Sequence, residues 1–61
     1  MKFIELTFVV KETEQQELIN VEHISRIMYV GGKPFIGMVG HTFTRQLTVE
    51  SMNNLVKELT K

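Results

Sequence analysis

Few of the side chains that most often carry chemistry are present in this 61-residue chain. Cysteine and aspartate are both absent from the sequence. The two histidines, His23 and His41, lie far apart and belong to no HxxxH or HExxH motif. Because a zinc site needs three or four suitably spaced ligands, the sequence predicts no metal centre, and it predicts no other cofactor.

A glycine-rich stretch, GGKPFIGMVG at residues 31–40, invites comparison with a phosphate-binding loop. Such a loop ends in Gly-Lys-Ser/Thr at the start of a helix. Here Lys33 is followed by Pro34 and then by a strand pattern. The stretch is therefore interpreted as two turns that flank a short strand.

Hydroxyl and carboxylate side chains are more numerous, but they form no catalytic set. No serine lies in the G-x-S-x-G pattern of a nucleophile elbow. The glutamates contain no pair that a single cleft would obviously bring together. Without a nucleophile, a base and a group to orient the base, the sequence predicts a protein that is not an enzyme and has no catalytic residues.

Nucleic-acid binding is the alternative function for a small β-rich chain. Small sheets bind single strands through exposed aromatic residues flanked by basic ones, and the candidates here are Phe3, Tyr29, Phe35 and Phe43 with Arg26, Lys33 and Arg45. However, seven basic residues offset seven acidic ones, so the formal net charge is zero. Since this balance removes most of the attraction to phosphate, a nucleic acid is not the expected partner.

The elements that would position these residues are five short strands and a helix. Residues 2–10 alternate between apolar and polar side chains, which is typical of a half-buried strand. The polar segment KETEQQ at 11–16 predicts a hairpin turn or a short exposed loop, and a 3₁₀ turn is expected at 21–24. Further strands are predicted at 17–21, 25–30, 35–39 and 43–48.

The last segment has the clearest pattern. Val49, Met52, Leu55, Val56 and Leu59 form an apolar stripe at helical spacing, and Thr48 is a suitable N-cap before it. The sheet is the only surface that can cover this stripe. The sequence therefore predicts one domain over residues 1–61 in the α+β class: a small antiparallel β-sheet of four to five strands with one C-terminal amphipathic helix packed on one face.

A chain of this length buries too little apolar surface to be very stable alone. Small domains are usually supplemented by disulfides, metals or oligomerisation, and the sequence offers neither of the first two. Self-association, or docking on a partner protein, is therefore expected. No stretch is long and apolar enough for membrane insertion, no signal peptide is recognised, and the lack of cysteine suits a cytoplasmic location.

The segments 25–30 and 35–39 are apolar in both strand phases, which is typical of strands buried on both sides. Since one helix covers only one face of a sheet, the second cover would come from another chain. The predicted interface residues are Tyr29, Phe35 and Met38 or their neighbours, because the strand phase is open. A twofold homo-oligomer is favoured, and edge-to-edge pairing that extends the sheet across two chains is the alternative arrangement.

Three short segments resemble the small flagellar-operon FlbD family. They are Ile4-Glu5-Leu6-Thr7, the turn Ile19–Ile24 with sequence INVEHI, and Val49-Glu50-Ser51 at the start of the helix. Short phage and mobile-element proteins of unknown function are similar too. The chain departs from the family in its longer first turn and in lacking a basic residue between Val49 and Glu50. The resemblance implies a β-rich, non-enzymatic accessory protein, in line with a self-associating interaction or assembly module.

Overall fold

The computed structural model describes residues 2–61 as five β-strands followed by one α-helix. The strands are β1 (Phe3–Val10), β2 (Thr13–Asn20), β3 (Ile24–Val30), β4 (Lys33–Met38) and β5 (Thr44–Leu47), and helix α1 is Val49–Leu59. A single 3₁₀ turn, Val21–His23, joins β2 to β3. Neighbouring strands are antiparallel in the order β2-β1-β5-β4-β3. The predicted α+β fold is confirmed.

Strands β1 and β2 form a hairpin around a turn of only two residues. Lys11 and Glu12 have φ values of 49° and 65°, as the two central residues of a type I′ turn require. The ladder then continues unbroken from Val10↔Thr13 to Phe3↔Asn20. The predicted hairpin turn therefore occurs, but it is confined to residues 11–12; the alternative of an exposed loop over 11–16 is wrong, and β2 begins at residue 13 rather than 17. The polar side chains of 13–16 fit a strand because β2 lies at the edge of the sheet, where they are exposed.

The remaining strands lie within two residues of their predicted bounds. Strand β3 begins one residue earlier than expected, β4 spans 33–38 rather than 35–39, and β5 spans 44–47 rather than 43–48. Gly31 and Gly32, both at positive φ, form a second two-residue turn, so β4 begins directly at Lys33. Pro34 has no N–H, and in this register an N–H at position 34 would point toward β5. Because the β4–β5 ladder ends at Phe35↔Gln46, Pro34 lies beyond the ladder and no hydrogen bond is lost.

The sheet is strongly curled because its two edge strands, β2 and β3, are consecutive in the chain. The four Cα–Cα steps from Asn20 to Ile24 reach at most about 15 Å. The edges of a flat five-stranded sheet would be about 19 Å apart. The ends of β2 and β3 must therefore bend toward each other, and the sheet acquires a concave side and a convex side.

The core lies on the concave side, between the sheet and the helix. Its buried side chains come from β1, β2, β4, β5 and α1: Leu6, Phe8, Ile19, Ile36, Leu47, Met52 and Leu55. The prediction that the sheet covers the helical stripe holds for Met52 and Leu55. It is wrong for Val49, Val56 and Leu59, which remain exposed. Val49 and Val56 lie at one margin of the apolar stripe, away from Met52 and Leu55, whereas Leu59 lies at the C-terminal end of the helix.

Candidate interaction surface

The outer edge of β3 presents backbone groups that have no ladder partner. The two-residue turn makes Val30 and Lys33 a hydrogen-bonded pair, and such pairs alternate with non-hydrogen-bonded ones along an antiparallel ladder. The N–H and C=O groups of Ile27 and Tyr29 therefore point away from β4. Because β3 is the last strand of the sheet, these groups lie along an open edge.

Exposed apolar side chains surround this open edge. Tyr29 is 60% exposed and Val30 is 57% exposed. Beside β3 lies a groove of about 210 Å³, lined by the apolar side chains of Val21, Ile24, Ile27 and Leu59 together with Ser25 and Arg26. The edge of β3 and this groove together form what we call the β3 edge surface, defined by Ile27, Tyr29, Val30 and Leu59.

The opposite edge of the sheet, strand β2, has a different character. Its sequence TEQQELIN contains two carboxylates, Glu14 and Glu17, and no basic residue. Leu18 is 68% exposed, but its neighbours on the same face of the strand, Gln16 and Asn20, are polar. Charged side chains on an edge strand discourage pairing with other strands. Of the two edges, β3 is thus the more apolar and the less protected.

The structure does not bring the three predicted interface residues onto one surface. Opposed residues in an antiparallel ladder share a face, so the register places Phe35 with Met28 on the convex side. Tyr29 and Met38 lie on the concave side, where Met38 packs against the core. Strands β3 and β4 carry apolar residues on both faces, so the sequence alone does not indicate which residues face the core.

The other marked concavity, about 340 Å³, is lined by Glu17, Ile19, Met38, His41, Phe43 and Arg45. Arg45 lies over the Phe8 ring with its guanidinium carbon 3.8 Å from the ring centroid. Its two terminal nitrogens donate to the two oxygens of Glu17 at 3.2 and 2.7 Å. These hydrogen bonds hold the pKa of the Glu17 carboxyl below its usual value. The two charges in this groove thus neutralise each other, and the pair covers the core.

The histidines lie apart from any cluster of ligands. His23 is in the 3₁₀ turn, and the His41 ring packs edge-on against Phe43 with ring centroids 5.3 Å apart. Within residues 2–61, no group of three or more His, Cys, Asp or Glu side chains is placed to hold a metal ion. Helix α1, the single α-helix of these residues, is too short to span a membrane.

Comparisons with protein-family models, with curated proteins and with solved structures find no match. The resemblance to the FlbD family therefore stays a prediction.

Proposed function

We propose that this protein is a small, non-catalytic interaction module that works in the cytoplasm as a self-associated assembly. The observation that carries the proposal is the β3 edge surface, where an open strand edge adjoins exposed apolar side chains. Native proteins usually protect such edges with charges, prolines or a covering element. An edge left apolar and uncovered is suited to pairing with another chain.

The small core supports the same proposal. Seven hydrophobic residues are buried, while ten large hydrophobic residues among those described are exposed. Removing apolar surface from water contributes about 25 cal/mol per Å². A second chain on the β3 edge surface would add such burial to a domain whose own core is small.

The other candidate, nucleic-acid binding, has weaker support. The exposed aromatic residues Phe3, Tyr29 and Phe43 lie on β1, on β3 and in the loop before β5, so they do not form one stacking platform. Arg45, one of the basic candidates, is engaged by Glu17. The zero net charge provides no general attraction to phosphates.

Self-association is tested by sedimentation of the purified chain between low and high micromolar concentration. We expect a species of twice the 7.1 kDa chain mass that dissociates on dilution. Tyr29→Glu should shift the equilibrium to monomer by at least tenfold in the dissociation constant, because pairing would desolvate an unpaired charge. Tyr29 is exposed, so circular dichroism should show an unchanged fold.

Leu18→Glu is the matched control, since Leu18 is at least as exposed as Tyr29 but lies on the other edge strand, β2. This variant should associate as the parent chain does. A folded parent chain that stays at 7.1 kDa at every concentration would contradict the proposed function. So would retention of a labelled single-stranded DNA or RNA by the monomer at physiological salt.

A further inference from the structure

We propose that the partner on the β3 edge surface is a second copy of this chain, joined by antiparallel pairing of β3 with β3 about a twofold axis at Met28. This inference rests on the proposed self-association and specifies its geometry. It joins two five-stranded sheets into one continuous ten-stranded sheet.

The backbone at the edge defines which residues pair. Ile27 and Tyr29 are the β3 residues whose N–H and C=O groups point outward. With the axis at Met28, Ile27 of each copy lies opposite Tyr29 of the other. Each such pair exchanges two hydrogen bonds, so all the outward groups of both residues are satisfied.

Two structural features exclude the neighbouring registers. Moving the axis to Ile27 would place Tyr29 opposite Ser25, where the β3–β4 register shifts at a bulge. Moving the axis to Tyr29 would place Ile27 opposite Gly31, which belongs to the turn at a φ of 59°. The register centred on Met28 is the one that keeps both hydrogen-bonded pairs within regular strand.

The side chains on the concave side are complementary in this register. Tyr29 of the second copy lies beside Ile27, which lines the groove of about 210 Å³ together with Ile24 and Leu59. The exposed aromatic ring of one copy therefore reaches the mostly apolar groove of the other, whose lining also includes Ser25 and Arg26, and the twofold axis repeats the contact. This arrangement covers Tyr29, which the single chain leaves 60% exposed.

The convex side is compatible with the same pairing. Met28 meets Met28 of the second copy at the axis, and Phe35 continues the apolar row on either side. Arg26, the charged residue of β3, lies opposite Val30 of the second copy. No two like charges are directly opposed on β3, and such opposition would destabilise the pair.

The alternatives that use β2 are less favourable. Pairing β2 with β2 would bring the carboxylates Glu14 and Glu17 of both copies into one ladder.

Pairing β2 with β3 would not match the faces of the two sheets. In the β1–β2 ladder, Val10↔Thr13 closes the two-residue turn as a hydrogen-bonded pair. The outward backbone groups of β2 therefore belong to Glu14, Gln16 and Leu18, whose side chains lie on the convex side. Antiparallel pairing of these residues with Ile27 and Tyr29 would join a convex side to a concave side.

The experiment is a cysteine scan of β3, because the chain contains no cysteine and each variant therefore has one thiol. Met28→Cys places two thiols in a non-hydrogen-bonded pair at the axis, where Cα atoms are about 4.5 Å apart. This separation lies within the range that a disulfide spans. Mild oxidation with diamide should yield covalent dimer as the main product on a non-reducing gel.

Val30→Cys is the matched control, on the same strand and the same face but displaced from the axis. Val30 lies opposite Arg26, so the two thiols would be too far apart to join. Leu18→Cys on β2 measures the background of random collision. We expect at least tenfold more covalent dimer from Met28→Cys than from either control.

The outcomes separate this inference from the proposed function. If the parent chain dimerises but cross-linking is strongest at Leu18→Cys, or no greater at Met28→Cys than at the controls, self-association stands and pairing through β3 is wrong. Preferred cross-linking of Ile27→Cys or Tyr29→Cys would overturn the register. A parent chain that stays monomeric at every concentration would overturn both proposals.

Discussion

At the scale of single residues, the hydroxyl of Ser51 connects the sheet to the helix. Strand β5 ends at Leu47, and beyond it the Thr48 N–H donates to the Thr7 carbonyl at 3.1 Å. The Thr7 N–H has no further strand to bond, and it donates to Ser51 Oγ at 2.8 Å. The Ser51 N–H in turn donates to Thr48 Oγ1 at 3.2 Å and completes the N-cap.

We predict that Ser51→Ala lowers the free energy of unfolding by about 1–3 kcal/mol, because it leaves the Thr7 N–H without a hydrogen-bond partner. The site is shielded from water, since Ser51 is only 6% exposed. Denaturation in urea would measure the change. Asn53→Ala is the control, since it alters an exposed position in the same helix and should change stability by less than about 0.5 kcal/mol. Equal effects of both substitutions would contradict the bridging role of Ser51.

The Glu17–Arg45 pair makes a prediction about pH. Hydrogen bonds from Arg45 lower the pKa of Glu17 in the folded chain, so the folded state binds this proton less readily than the unfolded state. The stability that the pair contributes to the folded state is therefore fully present above the ordinary glutamate pKa of about 4.3, and it is lost as the pH falls through the lower pKa of the folded state.

Glu17→Gln should lower stability at pH 7 by about 1 kcal/mol or less, as is usual for a partly exposed pair. The difference from the parent chain should shrink toward pH 3. Thermal melts at a series of pH values would show whether the two curves converge. A difference that stays constant from pH 7 to pH 3 would mean that the charge of Glu17 does not contribute.

At the scale of elements, the two hairpin turns have the same geometry but very different sequences. Gly31 and Gly32 adopt positive φ without penalty, whereas Lys11 and Glu12 adopt it at the expense of a steric clash with their Cβ atoms. The β1–β2 hairpin is held together in spite of its turn, by a ladder of eight residues on each strand.

Replacing Lys11-Glu12 by Asn-Gly should therefore raise the free energy of unfolding by about 1 kcal/mol, since these residues favour the left-handed region. Chemical denaturation would measure the gain. The reverse exchange, Gly31→Lys with Gly32→Glu, is the counterpart and should lower stability by a similar amount. A loss of stability in the Asn-Gly variant would show that Lys11 or Glu12 makes a contribution that outweighs its backbone conformation.

This comparison of turns also explains how far the sequence predicts the elements. The Gly-Gly turn and the helix, with its Thr48 cap, have strong local signals, and both occur where expected. The bounds of β2 were missed because Lys-Glu is not a turn signal and Thr13–Gln16 is uniformly polar. Pairing with the apolar β1 determines that segment as a strand, and a pairing partner is not visible in local sequence.

At the scale of the whole molecule, the curl of the sheet decides which apolar residues become core. The layers and the strand number follow from the apolar patterns and from the C-terminal stripe. The side of the sheet on which Tyr29, Phe35 and Met38 lie does not follow from the sequence, because their strands have apolar residues on both faces. The register of the β3–β4 hairpin and the bulge at Ser25 assign them to opposite sides. Both are properties of the folded ladder.

The narrow contact between β1 and β5 has a consequence for the order of folding. These strands pair only at Phe8↔Leu47 and Val9↔Gln46, whereas each hairpin is local in sequence. Hairpins form in about 1–10 μs, and the closure of distant segments is slower. We expect the β1–β2 hairpin and the β3–β5 meander to form first, and the contact between β1 and β5 to form last.

If the β1–β5 contact opens and Val21–His23 acts as a hinge, two chains can exchange their N-terminal hairpins. Slow refolding at high concentration should therefore favour such exchanged dimers.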